Sequence, residues 1–359
     1  MRKIVCHTKF KREPFGDGGS RRSVQIRDVL VENEIAFEDD DFVLPKDAPR
    51  GQLLHWTIRA IKFVKQHYPK KRIKSLSDYI HLIKYYALRL PSVYDKYAQQ
   101  DVVFLWENTS DQEMLYLLKA TGRPVFALPH NTESLVASHD VGALAKEVSN
   151  LQCCDGVFAI SKEETWLLRL LGVKAYYFPY YPPKEVEAHL LSIRKRRELR
   201  QGNKRKKYLL LGSASNYPTR KGMQMMLDAA ASRTLSFDLG VVGYRTNSLR
   251  VPQQTGITFY GAVTNEVLGG VLEETDAVLI FQPPTTGALT RIPEMLLAGI
   301  PVFVNFDAGR NYMDLGDVHL YDSFENLFDT LEGFVPYQTK PLHRDVGSEN
   351  RFVTTIKLQ

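Results

Sequence analysis

Between Ala277 and Asn305 the chain reads AVLIFQPPTTGALTRIPEMLLAGIPVFVN, and its polar residues are spaced to hold an anion beside a sugar. Thr285, Thr286 and Gly287 fall in a Pro/Thr/Gly loop, Arg291 where a helix should begin, and Glu294 about one turn further in. A helix N-terminus with a nearby arginine suits a phosphate. A glutamate one turn on suits a sugar hydroxyl. Upstream, Gly212–Gly222 places small residues after an apolar run and then Arg220-Lys221 at a helix start, a diphosphate cradle in which backbone N–H groups and the helix dipole add to the side-chain charges. His130, in Pro129-His130-Asn131-Thr132-Glu133, follows another apolar run, and its polar ring can donate a hydrogen bond to a ligand. By residue type alone, a packed or surface histidine explains it better.

The elements needed to position these groups are legible in the hydropathy pattern. Ala277–Phe281 and Val302–Val304 read as buried strands joined through the loop and a helix at Ile292–Ala298. That is the length of a βαβ unit, whose strands must be parallel. Ligands in such sheets sit beyond the carboxyl ends of the strands, where the loop residues lie. The same alternation recurs along the chain. Strands are expected at 3–6, 102–106, 124–128, 156–160 and 175–178, then at 208–211, 237–242, 257–260 and 318–321. Helices fall between them, from about Arg22 to Glu34 and at Met223–Ala231, Thr264–Glu274 and Phe324–Leu331. Ser161-Lys162-Glu163-Glu164 reads as a capping box. Gly16-Asp17-Gly18-Gly19-Ser20 reads as a loop whose glycines permit positive φ and close approach to a ligand.

Gly287-x-x-x-Arg291-Ile292-x-Glu294-x-x-x-x-Gly299-x-Pro301-Val302 resembles the signature of GT-B glycosyltransferases, in particular the retaining enzymes of family 4. The resemblance implies an α/β fold of two doubly wound, Rossmann-like domains facing across a cleft. It divides the chain into an acceptor-binding domain (1–183), a basic linker (184–207), a nucleotide-sugar-binding domain (208–333) and a C-terminal tail (334–359) without the long closing helix common in the family. It also implies roles. Glu294 would bind the ribose of the nucleotide sugar, while Arg220, Lys221 and Arg291 would stabilise the departing diphosphate. His130 would contact the donor sugar, Gly18-Gly19 would line the cleft, and Gly261 and Val263 would lie against the base. The family usually carries a second glutamate eight positions before the first, and here that position is Thr286.

The activity so implied is transfer of a hexosyl group from a nucleoside-diphosphate sugar to a saccharide or lipid-linked acceptor, with retention. No cofactor besides the donor substrate, and no metal, is implied. Two alternatives share the fold: a catalytically degenerate partner subunit, favoured by Thr286, and a nucleotide-sugar epimerase, whose acid/base residues are not recognisable.

Composition is consistent with this. The 359 residues suffice for two cores, and 44% hydrophobic with 25% charged residues is ordinary for a globular chain. Cys6, Cys153 and Cys154 lack metal-ligand spacing and read as buried free thiols. The N-terminal apolar run is too short for a signal peptide and no stretch approaches a membrane span, so a cytoplasmic location is expected. The net charge of +6 is concentrated between Arg194 and Lys207, where nine Lys/Arg face one Glu. That run reads as a solvated linker, with anionic lipid headgroups as the next candidate partner and nucleic acid excluded for want of a recognised module. Glu38-Asp39-Asp40-Asp41 invites a metal reading, but consecutive acids point in different directions and read as a solvated turn. From 52 to 97 the chain turns helical, with Ile58, Ile61 and Val64 marking a core stripe. Basic residues there interleave with Trp56, Tyr68, Tyr79, Tyr85 and Tyr86, a pattern that suits peripheral contact with the inner membrane face.

Overall fold

This computed structural model describes residues 2–40, 50–136, 140–200, 205–250 and 256–358, which contain twelve strands. They are β1 (Lys3–His7), β2 (Phe37–Asp39), β3 (Val102–Trp106), β4 (Val125–Ala127), β5 (Gly156–Ala159), β6 (Ala175–Tyr177), β7 (Lys207–Leu211), β8 (Asp238–Val242), β9 (Ile257–Gly261), β10 (Ala277–Ile280), β11 (Val302–Asn305) and β12 (Val318–Tyr321). Asp41 of the acidic run lies outside the described residues.

The chain divides into two compact units. One comprises 1–11, 26–179 and 346–359 and holds a six-stranded sheet of order β2-β1-β3-β4-β5-β6. The other comprises 12–25 and 180–345, with order β12-β11-β10-β7-β8-β9. Every pairing is parallel. Strands such as β3, β10 and β11 are buried along their whole length because helices cover both faces, hence their unbroken apolar runs. Strand order reverses between β1 and β3 in the first sheet and between β7 and β10 in the second. Loops leaving neighbouring strands toward opposite faces part there, and a crevice opens at the carboxyl ends.

Several elements differ from the sequence reading. Lys184–Glu198 is a helix of the second unit, so the described part of the segment expected as a solvated linker, 184–200 and 205–207, is largely folded structure; residues 201–204 lie outside the described residues. Arg194 and Arg197, three residues apart on one face, are buried and donate to backbone carbonyls: Arg194 to Leu296, Leu297 and Thr339, Arg197 to Leu272, Glu273 and Thr275. They add donors to carbonyls at the ends of helices Arg291–Leu297 and Asn265–Glu274. Arg196, Arg200, Arg205 and Lys207 pair with Glu273, Asp276, Asp238 and Glu274, so most of that positive charge is used internally.

The C-terminal tail also departs from expectation. It ends in a helix, Val346–Lys357, whose Phe352, Val353 and Ile356 belong to the core of the first unit; Phe352 stacks on Phe178 at 4.7 Å. Glu38 and Asp40 are not a solvated turn, since Lys3, Lys96 and Tyr97 engage them at the sheet edge. Among the described side chains of helix Arg50–His67 the buried ones are Trp56, Ala60, Phe63 and Val64, and Ile58 is exposed. The aromatic side chains there serve the core: Trp56, Tyr68 and Tyr86 are all buried. Cys153 is exposed, and Cys6 and Cys154 are buried. No helix among the described residues is long and apolar enough to cross a membrane.

Candidate functional site

In the second unit the reversal between β7 and β10 collects the residues best equipped for an anion. After β7 the chain runs through Gly212 to Asn216, whose side chain caps helix Tyr217–Ala231 by accepting from the Thr219 amide at 3.1 Å. Gly222 is required in that helix, because a Cβ there would collide with the Phe281 carbonyl oxygen at the end of β10. The close approach brings the first turn of the helix to the β10 loop.

On that loop Arg291 opens helix Arg291–Leu297 and turns its guanidinium toward the β7 loop. A Cβ on Gly212 would lie 2.5 Å from its Nη1, so any larger residue there would push the guanidinium aside. Arg291 Nη1 reaches Thr219 Oγ1 at 3.5 Å, and Nη2 donates to Gln282 Oε1 at 3.1 Å. Gln282 is itself fixed by Asn305, whose amide exchanges two 2.9 Å bonds with the Gln282 backbone. Arg291 Nε is buried with no partner, and among the described residues Arg291 makes no ion pair. Burial pushes its pKa down to about 10, against the opposing charge of Glu294. It remains a cation at neutral pH, bonded to neutral groups, with Glu294 acting on it only at a distance. Arg220 and Lys221 lie exposed in the next turn of helix Tyr217–Ala231, and neither is in an ion pair among the described residues.

Glu294 is buried, and both of its carboxylate oxygens are engaged. Tyr180 donates to Oε1 at 2.6 Å and Arg21 donates to Oε2. Arg21 is anchored from the other side by the Gly16 carbonyl at 3.0 Å. The Glu294 charge raises the Arg21 pKa against the effect of burial; burial and then Glu294 raise the Tyr180 phenol well above its usual value.

Gly18 and Gly19 are not loop glycines but the first residues of helix Gly18–Glu32, and neither has positive φ. Gly18 packs close to Thr290, whose Oγ1 would lie 3.1 Å from a Cβ on it. The Gly287 carbonyl accepts from Arg310 at 2.6 Å and Asn311 at 3.1 Å. Thr286 precedes it on the same loop. Gly261, with φ of +69°, ends β9, and Val263 packs against the core just beyond.

His130 belongs to the first unit, beyond β4. Its Nε2 lies 2.9 Å from Oε1 of Glu107, a buried carboxylate at the end of β3, and its ring stacks on Phe10 at 4.3 Å. The loop is pinned next door. Ser161 caps the Glu164 amide as the capping box predicts and its hydroxyl donates to Oε2 of Glu164 at 2.8 Å, while Oε1 accepts from the Thr132 amide and hydroxyl, at 2.6 and 2.9 Å.

The arrangement therefore joins Thr219 and Arg291 with Gly212 and Gln282, and it joins Glu294 with Arg21 and Tyr180. Sequence reasoning missed Arg21, Glu107, Tyr180, Gln282, Asn305, Arg310 and Asn311. Polar residues at strand ends, such as Glu107, Gln282 and Asn305, were the available signal. Among the described residues there is no group of three or more His, Cys, Asp or Glu that could hold a metal.

Two six-stranded parallel sheets with these orders align over almost the whole chain with solved structures. Sucrose-phosphate synthase from Thermosynechococcus elongatus aligns at a TM-score of 0.56 and 14% identity, over 93% of this chain and 89% of that one. HepE from Anabaena, in complex with UDP-glucose, aligns at 0.57 and 13%, over 100% and 98%. The chain has the GT-B fold. TarM, another GT-B structure, aligns at 0.62 and 9% identity, over 99% and 95%. At these identities the likeness is one of fold. No protein-family profile and no curated protein sequence matches the chain.

Proposed function

We propose that this GT-B chain is a retaining, nucleotide-sugar-dependent glycosyltransferase resembling family 4, which moves a hexosyl group to a saccharide or lipid-linked acceptor. The observation that carries the reading is Arg291: a cation withdrawn from water, bonded to neutral groups and aimed at a helix N-terminus where the strand order reverses. A diphosphate supplies a counter-ion in direct contact. Arg220 and Lys221 add charge at the rim, and the three cations together stabilise negative charge as it develops on the leaving nucleoside diphosphate. Glu294 takes the ribose. Each carboxylate oxygen keeps a second lone pair beyond its bond to Arg21 or Tyr180, so a sugar hydroxyl can still donate to it. Gly18, Gly261, Val263, Thr286 and Gly287 complete the donor site, and His130 contacts the donor sugar. The UDP-glucose complex of HepE supports a nucleotide sugar as donor.

Calorimetry with a panel of nucleotide sugars tests this on wild type and Glu294→Ala. Binding of one donor that the variant weakens by roughly 1.5–3 kcal/mol, the worth of a hydrogen bond to a charged group, is expected. Binding of no nucleotide or nucleotide sugar would remove the reading. The second reading, a binding subunit without turnover, is favoured by Thr286; donor binding with no transfer to any acceptor would establish it. Donor turnover in the absence of an acceptor would point to the epimerase.

The acceptor side carries a related proposal, peripheral contact with an anionic membrane. Leu54 and Ile58 lie exposed with Lys62 and Lys65 on one face of helix Arg50–His67, and Leu76, Ile80, Lys84 and Leu88 form one stripe of helix Leu76–Leu90. Exposed apolar residues among lysines suit a lipid surface. Sedimentation with phosphatidylserine vesicles should carry the protein down, and Lys62→Glu with Lys84→Glu should leave it in the supernatant.

A further inference from the structure

The first unit has its own strand reversal, between β1 and β3, and a second polar cluster gathers at that end of the sheet. His7 ends β1, and its Nε2 lies 3.8 Å from Asp111. Asp111 also accepts from Tyr85 at 2.7 Å. Burial works to raise the Asp111 pKa, but the nearby His7 ring, the bond from Tyr85 and the charge of Arg89 prevail and hold it below the usual carboxylate range. That acid is committed to its own partners. Glu107 is different. Its side chain is 2% exposed, its backbone is tied to the His7 carbonyl at 3.0 Å, and one carboxylate oxygen lies 2.9 Å from His130 Nε2.

We propose that Glu107 is a positioning residue that holds His130 in the tautomer with its proton on Nε2. In this proposal Glu107 is ionised; its carboxylate then only accepts, so the nitrogen facing it carries the proton. The other ring nitrogen, Nδ1, is then left as a bare lone pair. Phe10, parallel to the ring within 5°, fixes its plane, and the bonds from Thr132 to Glu164 fix the loop behind it. His130 therefore accepts a hydrogen bond from a ligand hydroxyl rather than donating one, which reverses the role its ring suggests in sequence. This rests on the reading that His130 faces the sugar.

The test is long-range 1H–15N spectroscopy of the full-length chain labelled at histidine, with the His130 signals assigned by their loss in His130→Gln. Neutral His130 is expected to show one protonated nitrogen, Nε2, and one bare nitrogen, Nδ1. In Glu107→Gln the single-tautomer pattern should give way to a mixture, because an amide donates as well as accepts. Phe10→Leu, which removes the stacked ring but not the carboxylate, should retain the Nε2–H pattern. A proton on Nδ1 in the wild type overturns the proposal, even if Glu107→Gln does not fold; so does an unchanged tautomer in a folded Glu107→Gln. The readout needs no ligand and is separate from the calorimetry. Failure of donor binding with the tautomer intact would remove the transferase reading alone.

Discussion

Arg291→Met separates a functional cation from a structural one. In the ligand-free protein the guanidinium sits among neutral partners, and the drop of its pKa from the ordinary arginine value to about 10 corresponds to roughly 3 kcal/mol against the charged form. The sign follows from linkage. A base whose pKa falls on folding opposes folding at every pH below the folded value, so at neutral pH the whole penalty is present. Methionine removes that penalty and fills similar volume, at the cost of the 3.1 Å bond to Gln282, worth about 1 kcal/mol. The variant should melt at the wild-type temperature or a few degrees above it. Donor binding should respond in the opposite way. A guanidinium donating two charge-assisted bonds to a diphosphate contributes about 3 kcal/mol, so the dissociation constant for the nucleoside diphosphate should rise roughly 100-fold. Scanning calorimetry and titration calorimetry on the same preparations read both effects. A variant that melts several degrees lower and binds the diphosphate as tightly as wild type would refute the argument, because Arg291 would then be a structural residue.

Three further outcomes follow from particular contacts. Gly222→Ala drives a methyl into the Phe281 carbonyl and should destabilise the second unit by about 2 kcal/mol or more, read as a lower urea midpoint. Arg194→Ala removes the guanidinium bonds to the carbonyls of Leu296, Leu297 and Thr339 and should cost about 2–4 kcal/mol in the same assay; a surface arginine would cost almost nothing. Tyr180→Phe removes one of the two donors to a buried carboxylate. It should lower stability by about 1–3 kcal/mol, and an unchanged melting temperature would show that Glu294 does not depend on that bond.

Much of the architecture was legible because a parallel sheet covered on both faces leaves a plain trace, an apolar run of four or five residues ending in a small or polar one. Ala277–Ile280, Val302–Asn305 and Lys207–Leu211 fall within a residue or two of where the hydropathy pattern puts them. Helix ends were nearly as clear wherever a capping residue announced them, as at Ser161 and Thr264. What failed were inferences from local composition. The run from Arg194 to Lys207 looks solvated because nine cations crowd one segment, yet Arg194 and Arg197 are buried. A guanidinium has five donors, and the carbonyls that need them lie 75 to 145 positions away along the chain. The same limit hid the partners of the candidate site.

The sequence by itself determined the strands other than the short edge strand β2, the loop from Gln282 to Thr290 and the chemical types of Arg291, Glu294, Lys221 and His130, because these depend on periodicity and on residues near in the chain. Only the tertiary structure decided that Arg291 would lie buried beside Gly212 among neutral bonding partners, that Arg21 and Tyr180 would hold Glu294, and that Glu107 would face His130. Those pairings join residues 23 to 273 positions apart, and sheet order and burial, not local spacing, bring them within bonding distance.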